Sequence, residues 1–354
     1  MISTAILANK SLLKNCCAAL VLLLCACGVA TAQKQEPDEP VERIESNLVQ
    51  LNIGVADRKG YPVVDLSRGD FVVYEDGVRQ TIQSFEPATA PFSLVILLDM
   101  SGSTLNFRQT LKQSAARFVD ALAPEDRVAV ISFYTSIKKG NREERVQTLT
   151  SFTTDRRKIG DAIASADGTG ETNLYKALRV AIAQLSKEDK RRKAVVMMTD
   201  GKDTSLEKLD RGASAEAKTP EEARASVKPD DNPTLRAVLD AADRQGVTVY
   251  PLALPSGDIA KVAQPLPQQV AIYTAARARL QTLANRTGGR LHEINRLEDM
   301  GRLYAEVAAD LRTLYTIAYQ PSGSRPRDGS WRAINIEVSR AETIARSRPG
   351  YYAR

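Results

Sequence analysis

One carboxylate and two hydroxyls follow a short apolar run near position 100. Residues 94–98 are all apolar, the run ends at Asp99, and Ser101 and Ser103 follow at alternate positions. A short run of leucine and β-branched residues bounded by polar residues predicts a buried strand. Asp99 would then lie at the carboxyl end of that strand, the edge at which open α/β sheets bind ligands. Carboxylate and hydroxyl oxygens are hard ligands, so the pattern indicates a site for Mg²⁺ or Mn²⁺ and not for zinc or copper.

These three residues resemble the Asp-x-Ser-x-Ser signature that opens the metal-ion-dependent adhesion site (MIDAS) of the von Willebrand factor type A (VWA) domain. The family requires two more elements, and both have counterparts here: residues 168–178 resemble its threonine loop, and residues 195–201 resemble its second strand and aspartate. One such element alone is weak evidence, but three in the family's order at predicted element edges are strong evidence. The resemblance implies five metal ligands: Asp99, Ser101, Ser103, Thr172 and Asp200.

The resemblance also implies a protein partner, whose Glu or Asp carboxylate completes the coordination of the ion. Mg²⁺ prefers six oxygen ligands and usually keeps several waters. The hydroxyls of Ser101, Ser103 and Thr172 can bind directly, whereas Asp99 and Asp200 bind directly or through water. Because the hydroxyl ligands are neutral, the cation stays attractive to an incoming carboxylate. The family further implies two states, with Thr172 direct in one and Asp200 direct in the other.

Each of these residues also has a structural alternative. The Asp99 turn can cap the following helix, and Thr172 can cap the helix that begins near Asn173. Asp200 and Gly201 can form an ordinary turn. The metal site is favoured because all the elements occur together in the order that the fold requires.

The elements that position these residues alternate between strand and helix from residue 91 to residue 313. The predicted strands cover residues 94–98, 128–133, 194–198, 247–254 and 291–294. Helices are predicted near 111–122 and over 153–166, 174–185, 235–242, 273–285 and 297–311, with long polar loops at 202–233 and 255–267. This alternation predicts an α/β fold with a doubly wound, mainly parallel sheet, which matches the VWA fold that the resemblance implies.

Short strands are predicted on both sides of this α/β domain. Alternating apolar residues begin at Val49, and further strands are predicted to start at Val63 and to cover 71–74 and 81–85 within an N-terminal β segment, 41–90. A C-terminal β segment, 314–354, has predicted strands at 314–319, 331–338 and 343–348. Because the N-terminal segment is too small to be stable alone, we expect the two segments to pair into one β-sandwich-like module that flanks the α/β domain. In this arrangement the chain resembles bacterial exported VWFA-related proteins.

The first residues are typical of a targeting signal. Lys10 and Lys14 precede an apolar run, 16–27, and the small residues before Gln33 predict cleavage after Ala32, leaving a flexible leader over residues 33–40. The alternative is a lipoprotein signal in which Cys27 is acylated. All four cysteines precede the predicted cleavage site, so the exported protein would form no disulfide. The rest of the chain contains no run long and apolar enough for a transmembrane helix.

The remaining composition argues against enzymes and nucleic-acid binders. His292 is the only histidine and falls on a predicted strand, and there is no phosphate-binding glycine loop or zinc-ligand spacing. The net charge of +6 comes from scattered residues and forms no nucleic-acid patch. We therefore expect a periplasmic or secreted, non-enzymatic protein that binds a partner through a divalent cation. The alternative is an envelope scaffold in which the metal only stabilises the fold and the β module binds the partner.

Overall fold

The computed structural model describes residues 48–138, 141–188, 191–256, 258–322 and 328–354. The predicted signal peptide (1–32), its Cys27 alternative and the predicted leader (33–40) lie outside the described residues. In the described part of the chain, no helix has both the length and the apolar character needed to cross a membrane.

Strands and helices alternate through the middle of the chain and give way to strands at both ends. The strands are β1 (Val49–Asp57), β2 (Phe71–Glu75), β3 (Val78–Gln80), β4 (Ile82–Glu86), β5 (Phe92–Asp99), β6 (Arg127–Lys138), β7 (Asn141–Thr153), β8 (Arg192–Thr199), β9 (Val247–Ala253), β10 (His292–Glu293), β11 (Leu314–Tyr319), β12 (Trp331–Val338), β13 (Thr343–Arg346) and β14 (Gly350–Tyr352). The helices are α1 (Arg108–Ala121), α2 (Arg156–Ser165), α3 (Leu174–Leu185), α4 (Thr204–Ala213), α5 (Pro220–Ser226), α6 (Pro233–Gln245), α7 (Pro267–Thr287) and α8 (Met300–Arg312).

The central sheet has the order β10-β9-β8-β5-β6-β7, and all neighbours are parallel except β6 and β7. Strand β5 is apolar along its length because helices cover both of its faces. Leu94, Ile96 and Leu98 pack in a core with α1, α2 and α8, whereas Val95 and Leu97 pack in a core with α3, α6 and α7. The predicted fold class, a doubly wound and mainly parallel α/β sheet, is confirmed.

Two features of this domain differ from the expectation. Residues 202–233 were expected to form a loop, but they contain α4 and α5. Both helices have N-terminal caps, since the side chains of Asp203 and Thr219 accept hydrogen bonds from backbone N–H groups in the first turns of α4 and α5. Strand β7 was not expected, because its sequence is polar and charged, as suits the edge of a sheet.

Strands from both ends of the chain form two four-stranded sheets, with the orders β13-β1-β11-β4 and β14-β12-β2-β3. β1 pairs with β11 and β13, and β2 pairs with β12, all antiparallel. Apolar residues of both sheets share one core, which includes Leu51, Val73 and Tyr315. The strand expected at Val63 is absent from the described residues, where only a single bridge joins Ala56 to Pro62. We call these two sheets the β module.

The β module contacts the amino-terminal edge of the central sheet. Asn52 Nδ2 donates to Gly246 O (3.0 Å) and to Thr248 Oγ1 (2.8 Å), where β9 begins. Arg348 donates to the carboxylate of Asp243 (2.8 Å) near the end of α6. Because strands of a parallel sheet all begin at the same edge, the β module lies opposite the edge at which Asp99 ends β5.

Candidate metal centre

Asp99 is the last residue of β5 and is fully buried. Its Oδ1 accepts a hydrogen bond from the backbone N–H of Ser101 (3.0 Å), and its Oδ2 accepts one from the hydroxyl of Thr199 (2.7 Å) at the end of β8. Burial, and then the neighbouring carboxylate of Asp200, raise the pKa of Asp99 to about 7. The two hydrogen bonds therefore fix the orientation of the carboxylate.

Two serine hydroxyls lie together directly after Asp99. Ser101 is buried and Ser103 is exposed, and their Oγ atoms are 3.2 Å apart. The hydroxyl of Thr104 donates to the carbonyls of Asp99 (2.8 Å) and Ser101 (3.0 Å), which holds this turn in shape. Adjacent oxygens of an octahedral Mg²⁺ shell are about 2.9 Å apart, since each lies about 2.05 Å from the ion. The serine pair has nearly this spacing.

The loop that carries Thr172 is fixed to both neighbouring segments. Gly102 N–H donates to Gly170 O (2.8 Å), and Thr172 N–H donates to Thr204 Oγ1 (3.0 Å). Gly170 has φ +100°, and a Cβ atom there would lie 2.1 Å from the carbonyl oxygen of Thr135. Only glycine permits this approach. Thr172 itself is buried, at 6% exposure.

Asp200 follows β8 and is also buried, at 1% exposure. Its Oδ1 accepts a hydrogen bond from Lys202 N–H (3.1 Å), but its Oδ2 has no hydrogen-bond donor among the described residues. The ammonium of Lys202 lies 3.7 Å from Oδ2. The following Gly201 has φ +82°, and its N–H donates to Thr199 Oγ1 (3.0 Å).

The five predicted ligands thus lie on three linked segments at the carboxyl edge of the sheet. A hard cation would satisfy three features of this edge: two buried carboxylates, a carboxylate oxygen without a hydrogen-bond donor among the described residues, and a close pair of hydroxyls. The described residues contain no group of three or more His, Cys, Asp or Glu side chains that could hold a metal. The donor set consists of carboxylate and hydroxyl oxygens, which fit Mg²⁺ or Mn²⁺, and the binding of these ions here stays a prediction.

Several residues that support these ligands were not identified from the sequence. Thr199 links the two aspartates, since its hydroxyl donates to Asp99 and accepts from the residue after Asp200. Arg108, on α1, donates to the carbonyls of Met100 (3.1 Å) and Gly168 (2.7 Å) and so joins the serine turn to the threonine loop. The position of Thr199, a polar residue directly before Asp200 in an apolar strand, is the signal that could have identified it.

His292, the only histidine in the sequence, is buried on β10, and two strands, β9 and β8, lie between β10 and β5. Its Nδ1 lies 3.6 Å from a carboxylate oxygen of Glu306. Burial lowers the pKa of His292. The side chain belongs to the packing between β10 and α8 and not to the candidate metal centre.

Comparison with known proteins agrees with the predicted family. A family model for the von Willebrand factor type A domain matches residues 94–202. No curated protein matches the chain. The predicted resemblance to VWA domains is therefore confirmed, whereas the family match does not itself show the metal site.

The solved structures with similar folds are distant in sequence. An aerotolerance-related membrane protein from Bacteroides fragilis has 16% identity and a TM-score of 0.42, over 62% of this chain and 98% of that chain. The vWF domain of the type V pili tip protein Mfa5 from Porphyromonas gingivalis has 14% identity and a TM-score of 0.43, over 62% of this chain and 95% of that chain. Proximal thread matrix protein 1 from the mussel byssus, described with a zinc-occupied MIDAS motif, has 15% identity and a TM-score of 0.40, over 66% and 49%. At these values the likenesses support no functional argument.

Proposed function

Because a family model for the von Willebrand factor type A domain matches residues 94–202, we propose that this protein is an exported, non-enzymatic module that binds a protein partner through Mg²⁺ or Mn²⁺. One observation carries the proposal. Asp99 and Asp200 are both buried at one sheet edge, and the carboxylate of Asp200 contributes to the raised pKa of Asp99. Asp200 Oδ2 has no hydrogen-bond donor in the described part of the chain, and the ammonium of Lys202 lies 3.7 Å from it. Two charged groups are rarely buried in this way unless a cation compensates them.

Each residue of the candidate metal centre would have a distinct role when the ion is bound. Asp99 and Asp200 supply negative charge, and the hydrogen bonds from Ser101 N–H and Thr199 hold Asp99 in a fixed orientation. The hydroxyls of Ser101, Ser103 and Thr172 supply neutral oxygens. When bound, the dication would act as an electrostatic bridge to a Glu or Asp carboxylate of the partner. Two carboxylates formally neutralise a dication, but the ammonium of Lys202 lies 3.7 Å from Asp200 Oδ2 and offsets part of that negative charge. The ion would therefore stay attractive to a further carboxylate.

Export is the second part of the proposal, and it rests on the N-terminal sequence alone. Lys10 and Lys14 before the apolar run support a signal peptide cleaved after Ala32, and acylation of Cys27 is the alternative. The mass of the mature N-terminal peptide distinguishes the two. A peptide that starts at Gln33 supports cleavage by signal peptidase, whereas a lipid-modified Cys27 supports a membrane anchor.

Metal-dependent capture of a partner tests the proposed function. The purified protein is immobilised and incubated with an extract of envelope proteins in Mg²⁺, and bound proteins are then eluted with EDTA and identified. Ser103→Ala removes an exposed candidate ligand, and Ser186→Ala is its control, because Ser186 is a half-buried serine at the end of α3 and is not a candidate ligand.

We expect wild type and Ser186→Ala to release the same proteins in EDTA, and Ser103→Ala to retain few of them. Partners that stay bound in EDTA, and that bind all three forms equally, would contradict the proposal. That result would favour the scaffold alternative, in which the β module binds the partner and the metal only stabilises the fold.

A further inference from the structure

The α/β domain exposes large apolar side chains at one edge. In the part of residues 91–313 that the structure describes, four large hydrophobic side chains are exposed: Leu105 (51%), Leu209 (62%), Val262 (44%) and Leu266 (61%). All four lie on segments that leave the carboxyl ends of β5, β8 and β9, the edge that holds the candidate metal centre. Single exposed apolar residues are ordinary, but their restriction to one edge marks an interaction surface.

Hydrogen bonds link the segments that carry these side chains. The first link joins the turn before Leu105 to the threonine loop, through Gly102 N–H and Gly170 O (2.8 Å). The second joins that loop to the start of α4, through Thr172 N–H and Thr204 Oγ1 (3.0 Å). Leu209 lies on the outer side of α4, which is therefore held beside the candidate metal ligands.

Two further hydrogen bonds connect these segments to α7 and to the loop that precedes it. Gln268 Nε2, in the first turn of α7, donates to Ser214 O (3.3 Å) at the end of α4, and Leu266 directly precedes α7. Ser256 Oγ, in the loop before α7, donates to Ser103 O (3.0 Å) and so connects this loop to the serine turn. The four hydrogen bonds thus join the serine turn, the threonine loop, α4 and the segment 256–268 at one edge of the sheet. We call the set Leu105, Leu209, Val262 and Leu266 the apolar rim.

A salt bridge in the interior keeps part of the rim rigid. The guanidinium of Arg279, on α7, donates to both carboxylate oxygens of Asp210, on α4 (2.7 and 2.5 Å), and both side chains are 5% exposed. Asp210 is the residue after Leu209, so this pair fixes the backbone at Leu209. A backbone that is already fixed loses little entropy on binding, which favours Leu209 as an anchor.

Cationic groups lie beside the apolar rim. The ammonium of Lys202 is 3.7 Å from Asp200 Oδ2. Lys208, next to Leu209, is 63% exposed, and its ammonium lies 4.0 Å from Glu171. The two ammonium groups offset the carboxylates of Asp200 and Glu171, so a dication bound beside Asp99 would leave an excess of positive charge. Such a surface complements a segment that is acidic and apolar at once, and not one that is basic or uniformly polar.

We propose that the partner presents a Glu or Asp side chain flanked by large apolar side chains, and that Leu209 and Leu266 bind these flanking groups. This inference rests on the proposed function, because the acidic side chain is the one that reaches the metal centre. The flanking contacts select the partner, since a carboxylate alone distinguishes few proteins.

Defined peptides on streptavidin beads test the inference. Four peptides are compared in Mn²⁺ and in EDTA: a glutamate between leucine and phenylalanine, a glutamate between two serines, and the two glutamine counterparts. The protein variants are the double variant Leu209→Ser/Leu266→Ser and the control Ile344→Ser. Ile344 lies on β13 of the β module and is 64% exposed, so the control removes an equally exposed apolar side chain away from the rim.

We expect the wild type to bind the apolar-flanked glutamate peptide about tenfold more tightly than the serine-flanked one, in Mn²⁺ only. The double variant should lose this difference while its affinity for Mn²⁺ alone stays unchanged, and Ile344→Ser should retain it. Glutamine peptides should not bind. Equal binding of the two glutamate peptides, or equal effects of the double variant and Ile344→Ser, would overturn the inference and leave the proposed function standing.

Two other outcomes have distinct meanings. If no glutamate peptide binds in Mn²⁺, the proposed function fails and the inference fails with it. If the free protein sediments as a dimer that Leu209→Ser/Leu266→Ser dissociates, the apolar rim binds a second copy of this chain and the proposed partner class is wrong.

Discussion

Removing the charge of Asp99 should stabilise the metal-free protein and abolish its response to Mg²⁺. Burial and the carboxylate of Asp200 raise the pKa of Asp99 from an ordinary 3.8 to about 7. Each pKa unit corresponds to about 1.4 kcal/mol, so ionised Asp99 costs the metal-free fold about 4 kcal/mol at pH 8. Asp99→Asn removes this cost, which the ionised wild type can offset by binding a cation.

The asparagine can keep both hydrogen bonds of Asp99. Its carbonyl oxygen can accept from Ser101 N–H, and its amide can donate to the hydroxyl oxygen of Thr199, which then acts as acceptor. Allowing for weaker bonds to a neutral group, we expect Asp99→Asn to raise the free energy of unfolding by about 2 to 4 kcal/mol in EDTA at pH 8. The assay is urea denaturation in EDTA and in saturating Mg²⁺.

Asp126→Asn is the matched control, at the opposite edge of the same sheet. Asp126 is 5% exposed, and its two oxygens accept from Phe92 N–H (2.8 Å) and Ala123 N–H (2.9 Å). An amide leaves one of these donors unpaired, so this variant should lose about 1 to 3 kcal/mol equally in EDTA and in Mg²⁺. The reasoning is refuted if Asp99→Asn is destabilised in EDTA as the control is, or if Mg²⁺ stabilises it as strongly as wild type.

Three further predictions follow from the same geometry. Between about pH 4 and pH 7 the folded metal-free protein holds a proton on Asp99 that the unfolded chain releases. Its free energy of unfolding, measured by urea denaturation, should therefore fall as pH rises through this window. Saturating Mg²⁺ should remove this fall. Gly170→Ala places a methyl group against the carbonyl oxygen of Thr135 at φ +100°, and should cost about 2 kcal/mol or more and weaken Mn²⁺ binding in calorimetry. Asp210→Ala leaves the buried guanidinium of Arg279 unpaired, and should cost about 3 to 5 kcal/mol by urea denaturation, whereas a loss below 1 kcal/mol would show that the pair does not fix α4.

Most of the central sheet can be predicted from the sequence because the apolar patterns that define its strands and helices are local. Strand β5 is a continuous apolar run, since both of its faces are covered, and helix α3 was predicted over its observed range, 174–185. Strands β11 and β12 were also predicted over their observed ranges, because apolar residues and turn signals bound them. The order of the five candidate ligands is also local, since each follows a strand or precedes a helix.

What the sequence does not predict depends on distant residues. Helix α4 buries Leu206 and Asp210, and Asp210 is stable there only because Arg279 pairs with it from a helix 69 residues later. No pattern near position 210 reveals that partner. The support that Thr199 gives to Asp99 likewise joins residues 100 positions apart, and it depends on β5 and β8 being neighbours in the sheet.

Strand β7 was not predicted for a different reason, its polar composition. It has 13 residues, and its sequence carries charges where a core strand would carry apolar side chains. An edge strand pairs on one side only, so its hydrogen bonds to β6 can form without the apolar pattern that predicts a strand. The polar composition that discourages further strand pairing at this edge also prevents β7 from being predicted from the sequence.

Calorimetric titration of Mg²⁺ and Mn²⁺ into the purified protein, wild type beside Asp99→Ala, tests the metal centre most directly. The account predicts one saturable site in the wild type and none in the variant, with tighter binding when a soluble carboxylate such as acetate is present. Absence of saturable binding in the wild type with acetate present, or equal binding in the variant, would contradict it.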